Sequence, residues 1–280
     1  MIEAIKPLID QAFAEDLGTS GDHSAKASIP ADAEKRARLL VKDTGIIAGV
    51  ELAEMIFNYY DSSIHFERLI PDGSPVKYGD EVFHVSGKVH TLLSVERIVL
   101  NFMQRMSGIA TLSNTYAKAV EGTNTKVLDT RKTTPGLRYI EKWAVRIGGG
   151  HNHRMGLYDM IMLKDNHNDY AGGIPEAINS TRKYIQDHDL TIQVEMETRN
   201  LDEVREVLAT GGVDRIMLDN FTPVLVKEAV AIIGDQAETE ASGGITLETI
   251  RAYAEAGVDY ISVGALTHSF KSLDMSLKAF

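Results

Sequence analysis

Arg131, Lys132, Arg138, Arg146, His151, His153, Arg154 and Lys164 crowd one stretch of this 280-residue chain, although the chain as a whole is acidic. Its 29 Lys plus Arg stand against 40 Asp plus Glu, a formal net charge of -11. That balance disfavours nonspecific binding of nucleic acid, so the cations form a local feature. A polyanionic ligand is the simplest reason to concentrate them, with Arg clasping carboxylate or phosphate in bidentate fashion and Lys acting as a point charge. The bland alternative is a solvated basic face. Downstream, Glu195 and Asp219 offer two acids that can hydrogen-bond sugar hydroxyls, hold a divalent metal and stabilise positive charge at an anomeric carbon, or serve as structural ion-pair partners. Ser242-Gly243-Gly244 and Gly264-Ala265-Leu266 carry the small residues that let backbone N–H groups approach a phosphate. A zinc reading of His151 and His153 is weak, because they are two apart and no third ligand is identifiable.

The elements that must position these residues are legible from periodicity. Ile2, Ile5, Ile9 and Phe13 fall at helical spacing, and Glu3, Asp10, Glu15 and Asp16 among them argue against a signal peptide. Arg36 to Lys42, Ile64 to Ile70 and Glu81 to Val85 read as strands, and Val50 to Tyr60 as a helix. A helix follows from Ser94 to Met106, which Ser107 and Gly108 are expected to interrupt. The rhythm then changes to short apolar strands alternating with helices: Thr125 to Leu128, Met160 to Leu163, Thr191 to Val194, Arg215 to Leu218, Ala237 to Ala241 and Tyr260 to Val263. Such alternation implies a parallel sheet covered on both faces, either a barrel or an open doubly wound sheet. Each strand runs into polar or small residues at its carboxyl end, and in a parallel barrel these ends share the rim that carries the active site.

Several ordered motifs resemble one family. DTRKTTPGLR at Asp129 to Arg138, GGGHNHRMGLYDMIMLKDNH at Gly148 to His167, VEME at Val194 to Glu197, MLDN at Met217 to Asn220 and ASGGI at Ala241 to Ile245 are similar to the signature run of quinolinate phosphoribosyltransferases. The likeness extends upstream through ERIVLNFMQRMSGIAT at Glu96 to Thr111 and more loosely to EDLG at Glu15 to Gly18, where Asp22, His23 and Ser24 depart from the common pattern.

The resemblance implies an α/β fold: an N-terminal α/β sandwich domain over residues 1–107, an incomplete, open α/β barrel of TIM-like type over 108–266, and a segment 267–280 returning to the first domain. It implies transfer of phosphoribosyl from phosphoribosyl pyrophosphate to quinolinate with decarboxylation, giving nicotinate mononucleotide in NAD biosynthesis. Thr130, Arg131, Lys132, Thr133, His153, Arg154 and Lys164 would form the pocket for quinolinate's carboxylates and the sugar's phosphates. Glu195 and Asp219 would bind ribose hydroxyls and Mg2+, and together with Lys132 would be the catalytic groups. Ser242, Gly243, Gly244, Gly264, Ala265 and Leu266 would cradle the 5-phosphate. Arg97 would complete the pocket of a neighbouring subunit in a homodimer, or in a hexamer built as a trimer of dimers. A cytoplasmic enzyme is expected, with no nucleic acid and no membrane partner; the absence of cysteine fits that compartment and removes thiolate chemistry. The rival readings are a molybdenum-associated paralogue on the same barrel and a non-catalytic sensor, which would not need to keep the dicarboxylate cations or both acids.

Overall fold

The computed structural model describes residues 2–280. In chain order the first elements are α1 (Ile2–Leu17), α2 (His23–Ser28), β1 (Glu34–Val41), β2 (Gly45–Ile46), α3 (Val50–Tyr60), β3 (His65–Arg68), β4 (Pro75–Val76), β5 (Glu81–Lys88) and α4 (Val89–Ala119). Then come β6 (Lys126–Leu128), α5 (Arg138–Ile147), β7 (Ile161–Leu163), α6 (Asp165–Ala171), α7 (Ile174–Asp187), β8 (Val194–Thr198), α8 (Leu201–Thr210) and β9 (Arg215–Asp219). The chain finishes with α9 (Pro223–Ile233), β10 (Glu238–Ser242), α10 (Ile250–Glu255), β11 (Tyr260–Ser262), α11 (Ala265–His268) and β12 (Met275–Ala279).

Two compact units emerge, and they interleave along the chain. The first joins Met1–Asn114, Thr133–Gly149 and Ala265–Phe280, and the second joins Thr115–Lys132 with Gly150–Gly264. The first unit is built on an antiparallel sheet of order β12-β1-β5-β3, so Met275 to Ala279 pairs with β1. Apolar residues of α3 cover it: Phe57 is fully buried and meets the rings of Phe66 and Phe83, with centroids 6.0 and 6.3 Å away. Burial of this kind contributes about 2–3 kcal/mol for each large side chain.

The expected break at Ser107 and Gly108 does not occur, because α4 runs through both without interruption. The reason lies in packing. A Cβ on Gly108 would stand 2.3 Å from the Lys271 carbonyl oxygen, so glycine here admits a crossing chain. Ser107 is buried, donates through Oγ to the Ala48 carbonyl (3.1 Å) and accepts from the Ala48 N–H (2.9 Å). Segment Thr133–Gly149 belongs to this unit, where the buried Glu141 carboxylate accepts from the Arg105 guanidinium and from the Thr134 N–H.

The second unit is a parallel sheet of order β6-β11-β10-β9-β8-β7. Its last strand returns beside its first, as in a barrel, but β6 and β7 remain edges. A single bridge from Leu128 to His151 adds to the β6 edge, so the barrel is incomplete and open between β6 and β7. The near-continuous burial of β8 and β9 is what a sheet covered on both faces requires. Strand β8 begins at Val194, where the sequence pattern ends a strand. Glu195 and Glu197 therefore lie within the strand, two apart and on the same face, rather than in a loop beyond it. No helix among the described residues is long and apolar enough to cross a membrane.

Candidate active site

The carboxyl ends of the second unit's strands gather most of the residues singled out by chemistry. Past β6, Asp129 is fully buried and works as a fastener: its Oδ1 accepts the His153 N–H (2.9 Å) and its Oδ2 accepts the Asn152 amide. The two basic runs, Arg131-Lys132 and His153-Arg154, are thereby tied to one strand end. Arg131 and Lys132 are exposed and Arg154 is half-buried. The Arg154 guanidinium is held below its ordinary pKa by burial and by the charge of Arg131. An anion placed between them would offset that charge.

Lys164, at the end of β7, reaches Glu197 of β8 with Nζ to Oε2 at 2.8 Å. Asp219 ends β9, accepts from the Asn220 amide (2.7 Å), and is pushed above the usual carboxylate range by burial and the neighbouring Glu197 charge, against the pull of Lys164. Lys164, Glu197 and Asp219 thus form one charged cluster on the rim. At the next strand end Gly243 has φ +97°, and a Cβ there would lie 2.2 Å from Asn220 Oδ1. Only glycine lets the β9 and β10 ends come so close. Gly244, at φ +61°, faces open space. Seven residues separate Ser242 from the six-residue α10, so the Ser-Gly-Gly turn does not open a helix directly. Gly264 follows β11 in this unit, whereas Thr133, Ala265, Leu266 and the exposed Arg97 of α4 belong to the first.

Glu195 departs most from its expected place. Both of its carboxylate oxygens are buried. Its Oε2 lies 3.0 Å from His153 Nε2, which is also 3.3 Å from Glu240 Oε2. Across the register from Glu195 stands Arg215, whose Nη1 is 3.2 Å from Glu240 Oε2 and whose Nη2 is 2.9 Å from Glu238 Oε2. The Tyr260 ring lies 4.0 Å from the Arg215 guanidinium carbon. Ligand atoms of His153, Glu195 and Glu240 lie within 4.8 Å of one another, a spacing that suits a metal, but the Arg215 guanidinium already supplies the cation this cluster needs. Sugar hydroxyls and Mg2+ therefore do not fit at Glu195; Glu197, 8% exposed, follows it on the same strand face toward the rim.

Protonation follows from this packing. His153 Nδ1 accepts the Arg154 N–H at 2.7 Å, so the ring proton sits on Nε2 and points at the two carboxylates. Burial opposes a charged ring, but hydrogen bonds to Glu195 and Glu240 outweigh it and raise its affinity for a second proton. Burial and the Glu240 charge push Glu195 up to about 7. Burial also opposes ionisation of Glu240, yet His153 and Arg215 hold its carboxyl below the ordinary range.

Asp129 and Glu197 stand among the polar residues at strand ends in the sequence without a role of their own, and Arg215 and Glu240 are not candidates there at all. Glu197 carried a usable signal in its two-residue spacing from Glu195. A charged residue within a strand covered on both faces is the signal for the other two: Glu240 stands at the centre of β10, and Arg215 opens β9 in a buried position.

Comparison with known proteins accounts for the whole chain. The N-terminal domain model of quinolinate phosphoribosyl transferase matches residues 22–107 and the C-terminal domain model matches 109–278. Quinolinate phosphoribosyltransferase [decarboxylating] 1b of Nicotiana tabacum is 50% identical over 98% of this chain and 82% of its own length. The probable nicotinate-nucleotide pyrophosphorylase [carboxylating] of Bacillus subtilis is 43% identical over 98% of this chain and 92% of its own. The crystal structure of NadC from Streptococcus pyogenes superposes with a TM-score of 0.93 at 38% identity, covering 100% of this chain and 98% of that one. The chain belongs to the quinolinate phosphoribosyltransferase family.

Proposed function

We infer that the protein transfers the phosphoribosyl group of phosphoribosyl pyrophosphate to quinolinate and releases carbon dioxide, forming nicotinate mononucleotide for NAD biosynthesis. It is a pentosyltransferase, since the group moved is a phosphoribosyl, as in the name of its half-identical relative, quinolinate phosphoribosyltransferase. The observation that carries the site assignment is that Asp129 ties the runs holding Arg131 and Arg154 to one strand end, on the same rim as the Lys164–Glu197–Asp219 cluster. A molybdenum-associated paralogue or a sensor would not need both sets.

In this reading the quinolinate carboxylates lie between Arg131 and Arg154, with Lys132 and Lys164 as further point charges. Thr130, whose Oγ1 accepts the Lys132 N–H at 3.0 Å, shapes the turn that presents them. Asp219 and Glu197 accept hydrogen bonds from the ribose hydroxyls and stabilise the positive charge that grows at the anomeric carbon. Ser242, Gly243, Gly244 and Gly264 offer main-chain N–H groups to the 5-phosphate. As pyrophosphate departs, the pyridine nitrogen attacks the anomeric carbon. The alkylated ring then accepts the electron pair of the adjacent carbon–carboxylate bond, carbon dioxide leaves, and the vacated carbon takes up a proton.

Asp219 and Glu197, hard oxygen donors on the rim, suit Mg2+. When bound, Mg2+ would neutralise charge on the departing pyrophosphate. We further place the enzyme in the cytoplasm as a homodimer, or as a hexamer of such dimers, in which Arg97 of one subunit completes the neighbour's pocket. The test supplies carboxyl-labelled quinolinate, phosphoribosyl pyrophosphate and Mg2+ to the purified protein. Labelled carbon dioxide and nicotinate mononucleotide should appear in equal amounts. Turnover of nicotinate in place of quinolinate would overturn the assignment.

A further inference from the structure

A fully buried acid and a buried arginine lie beneath the rim and cannot touch substrate, yet they connect to it through one side chain. Glu240 is 0% exposed on β10, and its Oε2 is shared between His153 Nε2 (3.3 Å) and Arg215 Nη1 (3.2 Å). His153 is itself buried, and both of its ring nitrogens are engaged inside the protein, Nε2 by Glu195 and Glu240 and Nδ1 by the Arg154 N–H. The ring is therefore a strut. It spans from carboxylates in the barrel interior to the main chain of Arg154, and Asp129 fixes its own N–H. Beyond Arg154 the chain has no regular structure as far as Met160, and Leu157 and Tyr158 on it are widely exposed. Along it the Asp159 carboxylate accepts the Met155 and Gly156 N–H groups (2.7 and 2.8 Å), while the Arg154 guanidinium, opposed by the Arg131 charge, donates a long bond to the Met160 carbonyl (3.4 Å). Something must hold it in place before an anion arrives.

We propose that Glu240 is a positioning residue, acting with Arg215 through His153 to hold Arg154 at the strand end that also carries Arg131, so that the quinolinate dianion meets a preformed clasp. This rests on the reading that Arg154 binds quinolinate. His153 thereby sets the geometry of the pocket rather than contacting the anion. Glu195 shares the strut's inner end, and Arg215 keeps both acids ionisable in the barrel interior.

The test compares Glu240→Gln, which keeps the shape and removes the charge, with Arg154→Ala. Steady-state kinetics are measured for each substrate, and two-bond 1H–15N correlations report the His153 ring. Glu240→Gln should raise the KM for quinolinate about tenfold, the scale on which hydrogen-bonded supports of a ligating side chain act. The KM for phosphoribosyl pyrophosphate should hold, and the His153 ring-nitrogen resonances should move. Arg215→Lys, which keeps the charge but shortens its reach, should shift the same parameters in the same direction by less, and stands in if Glu240→Gln does not fold. If Arg154→Ala raises the quinolinate KM while folded Glu240→Gln leaves it unchanged, the positioning role is refuted. An equal rise for both substrates, marking a merely structural loss, refutes it too. If Arg154→Ala itself has no effect on quinolinate, it is the reading of the pocket that fails, and this role falls with it.

Discussion

Arg215→Met gives the sharpest test of the buried charge cluster through stability alone. The guanidinium sits opposite Glu195, bonds Glu240 (3.2 Å) and Glu238 (2.9 Å), and lies against Tyr260. Methionine preserves most of the packing and removes the charge. Breaking a buried ion network by deleting one partner costs about 3–5 kcal/mol, because the remaining charges stay buried without compensation. At roughly 2–4 °C per kcal/mol for chains near this size, the thermal midpoint should fall by roughly 6–20 °C at pH 8.

The loss should shrink in acid, and its sign can be worked out. Glu195 has a folded pKa of about 7, above its ordinary value of 4.5, so between those values the folded state binds more protons than the unfolded one. Stability contributed by this group therefore falls as pH rises through that window. Without Arg215, Glu195 holds its proton to still higher pH, so the deficit against the parent protein should be larger at pH 8 than at pH 5.5. Circular dichroism melts of both proteins at the two pH values measure it. A midpoint unchanged at pH 8, or deficits equal at both values, would refute the argument that Arg215 compensates two buried acids.

Other outcomes follow from the same geometry. Lys132→Ala and Arg154→Ala should each lower kcat/KM by about a hundredfold or more, the scale of losing a preorganised charge, while melts stay near the parent's; near-normal activity in both variants would count against the pocket. Gly243→Ala, which forces a side chain into φ +97° and to 2.2 Å from Asn220, should raise the KM for phosphoribosyl pyrophosphate and lower the thermal midpoint. Gly108→Ala, whose Cβ would meet the Lys271 carbonyl at 2.3 Å, should destabilise by about 1–3 kcal/mol, as overpacking does, without a specific effect on either KM. Arg97→Ala should be inactive alone and regain activity when mixed with a variant dead at Lys164; failure despite demonstrated subunit exchange would argue against a shared pocket.

Residues whose local chemistry announces their place were legible in the sequence. The helix at Val50 to Tyr60 has its stated bounds, and β9 and β11 fall within a residue of theirs, because apolar runs between turn formers leave few alternatives. The interleaving of the two units was not legible, since it depends on Glu141 and Arg105 pairing across 36 residues of chain. Gly108 misled for the same reason: its role is to admit a crossing segment that only the fold brings near. Glu195 and Glu197 could not be separated by residue type. Sliding β8 three residues turns a pair of loop acids into one buried and one rim carboxylate. The cations needed no such register, and Arg131, Arg154 and Lys164 were nameable from composition and motif alone.

A crystal structure of the protein with quinolinate bound bears most directly on the whole account. Its two carboxylates should lie between the Arg131 and Arg154 guanidiniums, with Lys164 nearby and the His153 ring still turned inward toward Glu195 and Glu240. Density for quinolinate away from both arginines, or a His153 ring swung out to meet a carboxylate, would contradict it.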